Sequence, residues 1–77
     1  MKDATNKEIG KRIQALRLTE GYSMERLAEL LEIGLSLLES IESGESEPSV
    51  KHLMGLSNIF DVSLDYLVFG DSEASDK

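Results

Sequence analysis

A chain of 77 residues has room for one small domain, because a chain this short hides only about 60% of the surface that it exposes when unfolded. With 40% apolar and 30% charged residues it reads as a soluble globular chain, and without cysteine it can form no disulfide or thiolate metal site. Its net charge of −7 makes it a poor general counterion for nucleic acid.

Taken in chain order, Thr5 and Glu8 have the spacing of a capping box. Ile9, Ile13 and Leu16 then form the apolar stripe of a first helix that runs to about Thr19, with Lys11 and Arg12 off that stripe. Gly21 is placed to end it in a left-handed conformation. Ser23 caps a second helix whose inward side is expected to be Leu27, Ala28, Leu30 and Leu31. Ala28 is small where another helix would approach closely. In the connection Glu32-Ile33-Gly34, Gly34 is expected to supply the backbone angles that a branched residue resists.

A third helix, roughly Leu35 to Ser43, turns Leu38 and Ile41 inward and stops at Gly44. After the loop Glu45-Ser46-Glu47-Pro48, Ser49 caps a fourth helix. Its inward residues are read as Val50, Leu53, Met54, Leu56 or Ser57, and Phe60. Asp61-Val62 breaks it, and Ser63 caps a short fifth helix (Leu64, Leu67, Val68) closed by Gly70. Residues 1–70 are thus expected to form one domain, all-α with five helices, and 71–77 an acidic disordered tail. No run approaches the ~20 apolar residues of a membrane span and no signal peptide opens the chain, so a cytoplasmic location is expected.

The segment Ser23 to Gly44 has the spacing of a helix-turn-helix, a unit whose second helix can enter a DNA major groove. Its charge points the other way. Residues 20–47 hold eight acids against one base, Arg26, whereas residues 1–19 carry five bases and two acids. At about 100° per residue, Ser36 and Ser40 point outward from the third helix, and Leu37 and Glu39 lie on its flanks.

In order and spacing, these pieces resemble the Cro-like, XRE-type helix-turn-helix family of phage repressors and small bacterial regulators. The landmarks are Ile9-Gly10-Lys11-Arg12-Ile13 with Leu16-Arg17, Gly21-Tyr22-Ser23, and Leu27-Ala28-Glu29-Leu30-Leu31. Further on come Ile41-Glu42-Ser43-Gly44, Pro48-Ser49, and Asp61-Val62-Ser63-Leu64-Asp65-Tyr66-Leu67. The resemblance covers residues 9–70 and implies a compact bundle of the lambda-repressor-like type. It implies that Met24, Leu35, Ser36, Leu37 and Ser40 face the groove, with Glu39 beside them. Ser23 is a helix cap first and a phosphate contact second. The resemblance also implies an ion pair between Arg17 and Glu42.

Two departures stand out. Met24 occupies a position where relatives commonly have glutamine, and the outward face of the third helix lacks Arg, Lys, Asn and Gln, the side chains best matched to base edges. Serine can still hydrogen-bond a base edge, and leucine can pack on a thymine methyl. Lys11 and Arg12, with Lys7 behind them, are then the best phosphate contacts, unless they are simply a solvated helix face. Leu64, Tyr66, Leu67 and Phe69 are a candidate dimer surface, or else Leu64 and Leu67 merely close the core.

His52 stands alone without cysteine or a second histidine, so no metal site is expected, and the serines have no base that would make a nucleophile. No enzyme activity, cofactor, small-molecule ligand or membrane contact is expected. The expected partners are double-stranded DNA and a second subunit, in a homodimer or a heterodimer with a related regulator. The leading reading is a DNA-binding transcriptional regulator of the repressor type. The alternative is a helix-turn-helix that pairs with a related regulator as a protein-interaction module, with weak or no DNA binding.

Overall fold

The computed structural model describes residues 5–70, so the tail expected over 71–77 lies outside the described residues. Five helices follow one another: α1 (Asn6–Glu20), α2 (Met24–Leu31), α3 (Leu35–Ser43), α4 (Val50–Phe60) and α5 (Leu64–Phe69). Among the described residues there is no strand, and no helix is long and apolar enough to cross a membrane.

The helix boundaries follow from local chemistry. The hydroxyls of Thr5, Ser23, Ser49 and Ser63 each accept the backbone N–H three residues on, satisfying a donor that the helix itself leaves orphaned. His52 completes a capping box with Ser49, its Nδ1 accepting from the Ser49 amide. Gly34 caps α3 without a side chain. It is also not the residue that turns the chain between α2 and α3. Its φ is −72°, and the left-handed position is Glu32, at φ 61°. The Glu32 amide closes α2 onto Glu29 and the Ile33 amide onto Ala28, so the reversal is complete before Gly34.

The core joins one or two residues from every helix: Ile9 and Ile13, Leu27 and Ala28, Leu38 and Ile41, Leu56 and Phe60, and Leu67. Tyr22 packs edge-on against Phe60 with ring centroids 5.9 Å apart. Burial of these side chains is the main stabilising term, at about 1.5–3 kcal/mol for each large aliphatic.

Three residues read as inward lie outside. Leu30 is 38%, Met54 54% and Val50 69% exposed. At about 100° per residue, Leu53, Leu56 and Phe60 fix the inward direction of α4, and Val50 and Met54 fall well to one side of it. Leu27, Ala28 and Leu31 leave Leu30 outside in the same way.

α1 is the organising element, packing against α3, α4 and α5. At Gly10 it passes so close to the end of α3 that an added Cβ would collide with the carbonyls of Ile41 and Glu42.

Candidate nucleic-acid interface

The helix-turn-helix is braced from behind by one guanidinium. Arg17 lies in α1, and its Nε and Nη2 donate to the two carboxylate oxygens of Glu42 near the end of α3, at 2.8 and 3.2 Å. Its Nη1 donates to the carbonyl of Tyr22, one residue before the cap of α2, at 3.1 Å. Both charged side chains are buried, and among the described residues no buried side-chain polar atom lacks a partner. Arg17 therefore fixes the lead-in to α2 and the end of α3 to a common support. A forked donor suits this task, because two parallel bonds fix orientation as well as distance.

The outward face is formed by α3. Leu35, Ser36, Leu37 and Glu39 are exposed. Ser40 is only half-exposed, because the turn after α3 folds back and the amides of Gly44, Glu45 and Ser46 all converge on its carbonyl. Met24, at the start of α2, packs partly against the core. The Ser23 hydroxyl accepts from the Arg26 amide at 3.0 Å, the capping role expected of it.

The basic residues of α1 divide between two tasks. Lys7, Lys11 and Gln14 line one shallow depression together with Met24, Glu39, Glu42 and Ser43, which brings α1 cations to the edge of α2 and α3. Arg12 turns away. Its Nη1 donates to the carbonyl of Leu67 at 2.7 Å and to that of Val68 at 3.3 Å, at the end of α5. Arg12 thus has partners within the fold, its charge meeting the negative end of a helix. Arg26, the single base of the acidic segment, pairs with Glu29 at 3.0 Å on the surface.

The matching family model is the helix-turn-helix model, over residues 13–67. The chain belongs to the helix-turn-helix family, of the Cro-like, XRE type. It is 41% identical over 62 residues to the prophage-derived HTH-type transcriptional regulator YonR of Bacillus subtilis, covering 80% of this chain and 57% of the relative. The chain thus spans little more than half the length of the first curated relatives it matches. Among solved structures it is similar to the P22 c2 repressor in complex with a synthetic operator. That match has TM-score 0.77 and 30% identity, and covers 82% of this chain and 96% of that one. It is also similar to the biofilm regulator SinR in complex with DNA, at TM-score 0.71 and 40% identity, covering 77% and 95%.

This helix-turn-helix chain departs from the sequence reading at the fifth helix as well. Leu67 is fully buried and belongs to the core, so it is not part of a dimer surface. Leu64 and Phe69 are 41% and 59% exposed, and Tyr66 is half-buried. Gln14 was missed. Its signal was its spacing, since Lys7, Lys11 and Gln14 recur at four and three residues and so share one helical face.

Proposed function

We propose that this chain is the DNA-binding unit of a transcriptional regulator of the repressor type, with α3 inserted into the major groove. Lys7 and Lys11 contact phosphates, Met24 and the start of α2 sit against the backbone, and Leu35, Ser36, Leu37 and Ser40 face the bases. The observation that carries this reading is the depression that joins Lys7 and Lys11 to Met24, Glu39, Ser43 and the Arg17-paired Glu42. It sets two cations of α1 beside the outward face of α3, where the acidic total of residues 20–47 would otherwise repel DNA.

The acidity also weighs less than its count. Glu42 is neutralised by Arg17, and Glu29 is paired with Arg26. Two structural relatives with closely similar folds were solved with DNA, which supports the same use here. The reading includes a subunit pair formed through Leu64, Tyr66 and Phe69, no enzymatic step, and a cytoplasmic location.

The test is a titration of the chain against a mixed-sequence duplex at about 50 mM salt, where phosphate contacts are strongest. Saturable binding is expected, weakening steeply as salt rises. Absence of binding at that salt would overturn the proposal and leave the protein-interaction reading in its place.

A further inference from the structure

Lys11 borders two depressions on the surface. One is the depression beside α2 and α3 already described; the other lies at the end of α5 and is lined by Glu8, Lys11, Arg12 and Phe69. The second sets an exposed aromatic ring beside two cations and one carboxylate. Among the described residues, neither cation forms an ion pair with a carboxylate. Arg12 donates to neutral carbonyls, which satisfy its N–H groups and leave its charge in place, and Lys11 is exposed.

The chain leaves α5 at this same spot. Gly70 is buried, and a Cβ added to it would lie 3.2 Å from Nη2 of Arg12. The segment that follows, Asp71-Ser72-Glu73-Ala74-Ser75-Asp76-Lys77, carries three acids and one base. Three residues reach at most about 10 Å from Gly70 even when extended, so Asp71 and Glu73 stay in the neighbourhood of the depression.

We propose that segment 71–77 docks on the depression at the end of α5, its carboxylates on Lys11 and Arg12, and so competes with DNA phosphate for Lys11. The occupant is this segment because it is tethered at the rim of the depression and opposite to it in charge. A short tether holds it at an effective concentration on the order of millimolar, which a separate acidic peptide does not match at ordinary concentrations. Exposed ion pairs are individually weak, which suits a contact that DNA has to displace. The docking stands on the geometry of α1 and α5 alone, and its consequence for DNA rests on the function proposed above.

The test compares the full chain with the variant Asp71→Asn/Glu73→Gln/Asp76→Asn, first by amide NMR without DNA. Shift changes are expected to concentrate at Glu8, Lys11 and Arg12, which are far from the substitutions in sequence. Changes confined to residues next to the substitutions, or spread evenly over the chain, would overturn the docking.

The second arm measures affinity for a mixed-sequence duplex at about 50 mM salt, where phosphate contacts are strongest. The neutralised variant is expected to bind about two- to fivefold more tightly, the range of an exposed ion pair. That gain should shrink when Lys11→Gln is present in both chains. No gain overturns the competition. So does an equal gain with and without Lys11, because the acids would then act on DNA through overall charge. If neither chain binds duplex DNA, the proposed function and the competition fall together, and the NMR arm still decides the docking.

Discussion

The Arg12 guanidinium donates to the carbonyl of Leu67 at 2.7 Å, across a sequence separation of 55 residues. This bond fastens the last turn of α5 to α1 and places a cation against carbonyls that the helix end leaves without partners. Arg12→Ala is expected to cost about 1.5 kcal/mol, the range of a hydrogen bond to a charged group. The loss is read as a lower urea midpoint with an unchanged slope. The same variant should leave the salt dependence of DNA binding as it was. A flatter salt dependence without loss of stability would return Arg12 to the phosphates.

A second prediction concerns the buried pair. Removing one partner of Arg17–Glu42 leaves a charge inside without compensation, which costs about 3–5 kcal/mol. Arg17→Ala should also release the Tyr22 carbonyl, loosening the entry to α2. In urea denaturation, Arg17→Met and Glu42→Leu together should cost less than the sum of the two single changes. Additive losses would mean that the two side chains stabilise the fold independently.

Two glycines should respond to substitution in opposite directions. At Gly10 a Cβ meets the backbone carbonyls of Ile41 and Glu42, which cannot rotate aside. Gly10→Ala is therefore expected to destabilise by about 1–3 kcal/mol, although alanine is the better helix former by about 1 kcal/mol. At Gly34 a Cβ meets nothing within 4 Å, the φ of −72° suits any residue, and the helix cap lacks a side chain. Gly34→Ser is expected to stabilise by roughly 0.5 kcal/mol, through a cap hydroxyl and a less flexible unfolded chain. Thermal melting of the two variants gives the comparison, and shifts in the same direction would refute it.

These contrasts also mark how far the sequence could be read. Helix number and limits were legible because Thr5, Ser23, Ser49 and Ser63 announce the starts and Gly21 and Gly44 the ends, and these signals act over three or four residues. The inward faces were legible where the stripe was narrow, as at Ile9 and Ile13. They blurred in α4, where Val50, Met54 and Leu56 are all apolar and neighbouring side chains decide which one faces the core. The turn was misplaced because glutamate rarely adopts the left-handed conformation, so Gly34 drew the assignment that belongs to Glu32.

The site divides in the same way. The Arg17–Glu42 pair was expected because both residues match positions of a known family, not because any local rule pairs residues 25 apart in the chain. The Arg12 bond to α5 was not legible for the complementary reason. Nothing near it in sequence distinguishes a cation that reaches α5 from one that reaches solvent, and Lys11 beside it has the same charge.

The measurement that tests the account most directly is the slope of log affinity for duplex DNA against log salt, in wild type and in Lys7→Ala/Lys11→Ala. Each phosphate contact contributes about 0.9 to that slope. The account predicts that the lysine variant keeps its fold but has a slope shallower by about 0.9 for each lysine in every bound subunit. An unchanged slope in a folded lysine variant, or no binding of wild type at low salt, would contradict it.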